Sequence, residues 1–304
     1  MRKTLLLVLI IIIGASYLGW RANLAHKPEI AVPEDVLATT TAPYLSTFPE
    51  EVIQGEPVLV RMGGLSTTTI QSITFLNKPL SAFEHEGRTL ALIGLDLKMT
   101  PGVYPIKAVL SDGTKMETDL VVGTRVIAKA PLGIPEELGG DTPEAEKELI
   151  NTLVAEGIII NAIPTSKEKL WDGLFRFPLD GTPIITDTYG YSRLTGDSTI
   201  SHKGTDFRAA VGTPVYAMNS GTVRFARHLR NYGNTIAIDH GSGILTIYMH
   251  LSEINTEVNK QVTKGELIGK SGATGYVLGP HLHLTIRING ISIDPMKFMD
   301  LFGS

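Results

Sequence analysis

The chain has 304 residues, enough for two domains, with a formal net charge of -4 and no cysteine. The lack of cysteine excludes disulfides, thiolate metal sites, a cysteine nucleophile and an N-terminal lipid anchor attached through cysteine. The acidic balance, without any run of basic residues interleaved with aromatics, indicates that nucleic acid is not a partner.

The first predicted element is an export signal at residues 1–25. Arg2 and Lys3 precede an apolar stretch of about 17 residues, and a short basic end before such a stretch is typical of export signals. Small residues at 14–16 would suit cleavage, whereas the boundary at Trp20 and Arg21 favours an uncleaved anchor. We expect residues 4–20 to be held in the inner membrane, with the rest at the periplasmic or cell-envelope face.

After a Pro- and Thr-rich linker at 26–42, residues 43–125 carry short β-type runs separated by turn residues. The runs at 57–61, 70–76, 90–93 and 103–110 have a spacing that predicts a small β-sandwich. His85 lies between two glutamates in this region. We interpret it as part of a solvated loop rather than as a metal ligand.

A helical linker is predicted at 126–175. Thr142, Pro143 and Glu144 supply a cap residue, a proline and an acid where a helix would begin, and we expect the helix to end near Ala155. Residues 166–174 are expected to form a second helical turn. Trp171, within that turn, is expected to pack against the domain that follows.

The last region, 176–304, contains side chains typical of a metal site: His202 with Asp206, His250, and the pair His281 and His283. The pair shares one face only in a strand, and apolar residues at alternate positions from 282 to 288 support a strand. The run 245–250 alternates similarly, and the intervening glycine favours a loop leading into a strand at Asp206. Three elements could therefore bring four imidazoles and one carboxylate, ligand types of zinc, to one sheet face.

The same region resembles the M23 family of zinc metallopeptidases, the lysostaphin or LytM-type cell-wall endopeptidases, whose hallmarks are H-x-x-x-D and H-x-H. The resemblance covers about 177–299 and includes the segments 212–215, 221–223, 232–234, 248–251, 264–266, 272–275 and 279–283. Segments 54–57 and 101–104 resemble the immunoglobulin-like domain that precedes some of these peptidases. The implied fold is mainly β, with an Ig-like β-sandwich, the helical linker and an antiparallel peptidase sheet.

The resemblance also implies a site and a function. One Zn²⁺ per chain would be held by His202, Asp206 and His283, and His250 and His281 would be catalytic residues that accept and donate protons. The implied protein is a zinc-dependent endopeptidase that hydrolyses peptide bonds in peptidoglycan stem peptides or cross-links. The alternative is a cell-wall-binding regulator that activates another hydrolase, and the complete ligand set favours the enzyme.

Other polar residues of this region have less definite roles. Tyr248, two residues before His250, is expected on the same face, where its hydroxyl could serve either catalysis or packing. Arg193 could contact substrate, but we favour an ion pair. His228 and His240 match no ligand of the family and are interpreted as surface residues.

Overall fold

The structure is a computed structural model and describes residues 42–131, 140, 142–195 and 198–304. The predicted export signal and almost all of the linker at 26–42 lie outside the described residues. In the part of the chain that is described, no helix has the length and apolar character needed to cross a bilayer.

The N-terminal part consists of nine strands in two sheets. They are β1 (Tyr44–Phe48), β2 (Glu51–Ile53), β3 (Pro57–Gly63), β4 (Ile70–Phe75), β5 (Lys78–Pro79), β6 (Ala82–His85), β7 (Arg88–Gly94), β8 (Gly102–Leu110) and β9 (Lys115–Gly123), with a 3-10 turn at Thr67–Thr69. One sheet has the order β1-β3-β7-β6 and the other has the order β2-β9-β8-β4-β5. Their facing apolar side chains form one core, so the described residues contain a β-sandwich. The narrower immunoglobulin-like classification stays a prediction.

The sheet that contains β3 and β7 is covered on both faces. Ala91 and Ile93 of β7 point into the sandwich core, whereas Leu90 and Leu92 belong to a second core together with Trp171. This follows from the strand geometry, in which successive side chains point to opposite faces. The outer face of the sandwich is therefore continuous with the core of the C-terminal part, and residues 43–304 form one unit.

A single long helix, α1 (Pro143–Asn161), connects the two parts. The Thr142 side chain caps it by accepting a hydrogen bond from the Ala145 N–H at 3.2 Å, as predicted. The expected end near Ala155 is wrong. The helix continues because Ile160 is buried against the C-terminal sheet and Arg287 donates to the Ile160 carbonyl at 3.0 Å.

The second helical turn expected at 166–174 is also wrong. The segment has no helical residues, and its backbone bonds to a neighbouring strand instead. The Leu170 N–H donates to the His240 carbonyl at 2.8 Å, and the Ser242 N–H donates to the Glu168 carbonyl at 3.2 Å. These bonds satisfy the polar backbone groups that a helical turn would have paired internally.

The described residues of the C-terminal part form fourteen strands and a short helix. They are β10 (Lys129–Pro131), β11 (Ile185–Asp187), β12 (Ser192–Thr195), β13 (Ser198–Ser201), β14 (Thr205–Arg208), β15 (Pro214–Tyr216), β16 (Gly221–Leu229), β17 (Gly233–Gly241), β18 (Ile244–Leu251), β19 (Glu253–Ile254), β20 (Gln261–Val262), β21 (Leu267–Lys270), β22 (His281–Ile288), β23 (Ile291–Ile293) and α2 (Pro295–Phe302). The main sheet has the order β11-β14-β22-β18-β17-β16-β20, and β23 pairs with β22. The mainly β, largely antiparallel fold class is confirmed.

The two faces of this main sheet have different functions in the fold. Leu282, Leu284 and Ile286 of β22 point into the core that the C-terminal part shares with the sandwich. On the opposite face, Ile247 and Met249 of β18 pack with Ile160 of α1. Because His281 and His283 alternate with the core residues of β22, they open onto the face that carries α1.

Candidate metal centre

Two adjacent strands and one loop bring three of the predicted residues together. In the register of β14 and β22, Asp206 lies directly opposite His283, so both side chains point to the same face. His202 lies in the loop between β13 and β14, as the glycine-containing motif predicted. His202 Nε2 lies 3.1 Å from Asp206 Oδ1 and 3.0 Å from His283 Nδ1, and His283 Nδ1 lies 2.8 Å from Asp206 Oδ1.

The outer hydrogen bonds of the two imidazoles determine which nitrogen carries the proton. His202 Nδ1 donates to the Thr188 carbonyl at 2.9 Å, which leaves a lone pair on Nε2 of the neutral ring. His283 Nε2 lies 2.9 Å from the Thr285 hydroxyl, and when Nε2 donates to that hydroxyl, Nδ1 of the neutral ring has the lone pair. Neither threonine was predicted as a hydrogen-bond partner of these histidines, although Thr285 shares a face with His283 in the alternation of β22.

These three residues form a site that fits a metal ion. Three lone-pair atoms repel one another unless a positive charge lies between them. Ligand atoms about 2.0–2.1 Å from a tetrahedral zinc ion would lie roughly 3.3 Å apart, close to the 2.8 to 3.1 Å observed. Two imidazoles and one carboxylate, with the outer nitrogens held by second partners, are the donor set of an open zinc site.

The pKa shifts of the three residues also indicate that the site favours a positive charge beside the carboxylate. Burial alone would raise the pKa of Asp206, but contacts with His202 and His283 hold it far below its ordinary value. Burial opposes protonation of His202, yet its contact with Asp206 raises its pKa. Burial lowers the pKa of His283. The cluster therefore stabilises a carboxylate beside a cation.

His250 joins the site through an irregularity in β18. Ile236 pairs with Tyr248 and Asn234 with Leu251, so two residues of β18 oppose one residue of β17, which is a β-bulge. His250 has φ of +62°, in the left-handed region. The bulge turns its ring to the site face, where it lies 4.9 Å from the ring of His281 and 5.9 Å from that of His283, centroid to centroid.

The expectation that Tyr248 shares this face is wrong, because it assumed regular alternation up to His250. Tyr248 is fully buried and belongs to the core with Leu284, its partner across the strands. Its hydroxyl accepts a hydrogen bond from the Met218 N–H at 3.1 Å and is bonded to Thr246. The tyrosine is a packing residue.

His250 and His281 direct the same nitrogen towards the metal site. His250 Nδ1 donates to the Thr274 carbonyl at 2.9 Å, and His281 Nδ1 donates to the Gly279 carbonyl at 2.9 Å. Nε2 of each neutral ring therefore carries the lone pair, and His281 Nε2 lies 3.7 Å from Asp206 Oδ2. Burial and the neighbouring His283 and His281 lower the pKa of His250 to about 3.

The five side chains line an open groove of about 1070 Å³, comparable with the largest ligand-binding clefts. One wall is helix α1, which contributes Ile150, Val154 and Ile158, and another is the loop that contains Val277 and Leu278. Val154, Ile158 and Leu278 are 61%, 66% and 71% exposed, respectively. Helix α1 was predicted only as part of a linker, so this apolar wall was not predicted.

Two other histidines are not the surface residues that were expected. His85 is buried, with its ring 4.5 Å from that of Trp171 and 6.0 Å from that of Phe302, because the end of β6 packs on the C-terminal part. His240 is completely buried and bonds through Nδ1 to the Ser220 carbonyl at 2.8 Å. Both histidines are buried for the same reason: elements distant in the sequence pack over them.

The expectations for His228, Arg193 and Trp171 are confirmed. His228 is exposed and bonds to Asn234. Arg193 forms an ion pair with Asp187. Trp171 packs against Phe175 and Phe302 of the C-terminal part, and it also contacts Phe83 of the sandwich.

Comparison with known proteins finds similar peptidases. The chain is 38% identical over 124 residues to peptidoglycan DD-endopeptidase ShyA of Vibrio cholerae, covering 40% of this chain and 29% of that protein. It is 42% identical over 96 residues to DD-carboxypeptidase/endopeptidase Mpg of Neisseria meningitidis, covering 32% of this chain and 22% of that protein. The chain thus matches less than a third of the length of either relative.

A solved structure extends the comparison to most of the fold. The crystal structure of a peptidase M23 from Pseudomonas aeruginosa superposes with a TM-score of 0.60 at 25% identity, covering 82% of this chain and 95% of that chain. Coverage of that extent is larger than either the sandwich or the C-terminal part alone could supply. Residues 200–295 match the sequence profile of Peptidase family M23. The part of the chain that carries the metal centre therefore matches the M23 peptidase family.

Proposed function

We propose that this protein is a zinc-dependent endopeptidase that hydrolyses peptide bonds in peptidoglycan stem peptides or cross-links. The observation that carries the proposal is the convergence of His202, Asp206 and His283 beside the free Nε2 atoms of His250 and His281. The open groove gives an extended peptide access to these groups. Relatives named as peptidoglycan DD-endopeptidases support the choice of substrate.

In this proposal, His202 Nε2, Asp206 and His283 Nδ1 hold one zinc ion per chain. When bound, the ion would polarise the scissile carbonyl and lower the pKa of water. His250 and His281 are catalytic residues whose Nε2 atoms face the reacting groups. One imidazole accepts the proton of the attacking water, and the other donates a proton to the amine that leaves.

The proposal includes a location and a domain organisation. We place the protein at the periplasmic or cell-envelope face, with peptidoglycan as its partner, because several relatives are named peptidoglycan DD-endopeptidases. The proposed domains are a sandwich at 43–125, a linker at 126–175 and a peptidase at 176–304. Anchoring in the inner membrane by residues 4–20 belongs to the same proposal.

Digestion of purified peptidoglycan tests the function. We expect the protein to release muropeptides whose masses identify the bond cut, a chelator to abolish the release, and zinc to restore it. His281→Ala should release none, whereas His228→Ala, which alters an exposed histidine outside the groove, should match the unmodified protein. Binding to the wall without cleavage by any of these proteins would overturn the proposal in favour of the regulator.

A further inference from the structure

The groove continues into a smaller cavity between the sandwich and the peptidase sheet. The cavity has a volume of about 320 Å³ and shares Lys98, Lys203 and Arg287 with the groove. These three cations come from three different segments: the turn after β7 of the sandwich, the loop beside His202, and strand β22. Asp96 is the one carboxylate among its described lining residues, and it accepts a hydrogen bond from the Lys98 backbone N–H at 2.7 Å. The cavity therefore has an excess of positive charge.

Arg287 is an unusual residue in this cavity, because its charge is buried without a counter-ion. It is only 7% exposed. Its guanidinium donates to the Ile160 carbonyl, to the Asn161 side chain and to the Ser292 hydroxyl, all of them neutral groups. No ion pair joins it to a carboxylate among the described residues, although a buried charge is costly unless it is paired. The partial negative charge of the α1 C-terminus offsets only part of this cost.

The position of Arg287 relates the cavity to the metal centre. It lies on the same face of β22 as His281 and His283, because all three alternate with the core residues. Arg287 lies four positions after His283 on the strand, which places their Cα atoms about 14 Å apart. An extended peptide covers that distance with about four residues. A substrate that lies in the groove with its scissile bond at the metal centre can thus extend to the cavity.

We propose that Lys98, Lys203 and Arg287 form a subsite for a free carboxylate of the peptide substrate, a few residues from the scissile bond. The inference rests on the proposed peptidase function and specifies its substrate further. Branched or cross-linked peptides joined through side chains retain free carboxylates along their length, which suits such a subsite. Because Lys98 belongs to the sandwich, the N-terminal part contributes directly to substrate binding.

A pair of synthetic cross-linked peptides tests the subsite. One carries a free carboxylate about four residues from the scissile bond, and the other carries a carboxamide there. We expect the full chain to cleave the carboxylate form with a kcat/KM about tenfold higher, since hydrogen bonds to charged groups contribute most. The preference should weaken as salt is raised.

Lys98→Ala is the main variant because Lys98 is exposed, so its substitution should leave the fold intact. It should reduce the preference to about threefold or less, mainly through KM. Lys115→Ala, an exposed sandwich lysine outside the cavity, should retain the full preference. Arg287→Met should abolish it, and circular dichroism shows whether that variant folds.

The two proposals fail in different ways. If the unmodified protein cleaves neither peptide nor peptidoglycan, the peptidase function is wrong. If it cleaves both peptides equally, or if Lys98→Ala retains the full preference, the peptidase function stands and the carboxylate subsite is overturned.

Discussion

The glycine between the first two metal-site residues offers a sharp test of the geometry. A Cβ added at Gly204 would lie 2.7 Å from Cε1 of His283, and closer still to its Nε2 and to the Leu284 carbonyl oxygen. Gly204 is not among the residues with positive φ, so space alone excludes a side chain. The Leu284 carbonyl is part of a central strand and cannot retreat. In Gly204→Ala the imidazole of His283 must therefore move by roughly 1 Å to restore ordinary contact.

That displacement should reduce zinc affinity and catalytic rate more than it reduces the stability of the fold. Overpacking of this kind costs about 1–3 kcal/mol of stability, whereas a shift of about 1 Å in a reacting constellation can lower the rate by about 100-fold. We expect Gly204→Ala to bind zinc about 10- to 100-fold more weakly, as changes in supporting groups do. Competition with a chromogenic chelator measures the affinity, and cleavage of a cross-linked peptide measures kcat/KM.

Gly279→Ala is the matched control. Gly279 also lines the groove, but a Cβ added there meets nothing within 4 Å. We expect this variant to bind zinc and to turn over like the unmodified protein. If Gly204→Ala binds zinc with unchanged affinity and retains full activity, the close packing of Gly204 on His283 does not hold, and neither does the metal geometry built on it.

Three further variants test features outside the metal-binding residues. Burial lowers the pKa of His240 from 6.5 to about 4, so stability should fall by about 3 kcal/mol as the pH drops from 6.5 to 4, where only the unfolded state is protonated. Urea unfolding of His240→Gln should lack this component, and an identical pH profile would contradict it. Tyr248→Phe leaves the Met218 N–H without its acceptor and should cost about 1–3 kcal/mol in thermal unfolding. Its kcat/KM should not change, and a large loss would mean that the hydroxyl acts in catalysis. Glu156→Ala removes the carboxylate that accepts the buried Asn231 N–H at 3.0 Å. It should speed hydrogen exchange in α1, whereas Glu156→Gln should not, and equal exchange in both would refute this anchoring role.

The metal centre was predictable because its residues follow local rules. Alternation in β22 assigns His281 and His283 to one face, and the glycine before Asp206 indicates a loop that leads into a strand. The same rule failed at His250. A β-bulge with a histidine in the left-handed backbone conformation does not alter the spacing of the apolar residues in the sequence. The sequence therefore predicted which side chains converge, but not how His250 reaches the others.

Burial of the other histidines could not be predicted from local patterns. His85 is flanked by acids and resembles a loop residue, but Trp171, more than eighty positions later, covers it. His240 is enclosed by the Ser220 carbonyl and the Phe175 ring, which belong to segments outside its own strand. Helix α1 has the composition of a connector, and only its packing on the peptidase sheet makes it a wall of the groove. Each of these features depends on contacts between distant parts of the chain.

The double coverage of β7 has a consequence for the behaviour of the whole molecule. A peptidase fragment cut free of the sandwich would display Trp171 and Phe302 to water and would tend to aggregate. Heating the protein, or pulling on its N-terminal half, should accordingly unfold both halves in one transition. The proposed peptidase activity should be lost at the temperature at which the sandwich unfolds. Conditions that unfold the sandwich should therefore also unfold the part of the chain that carries the metal centre.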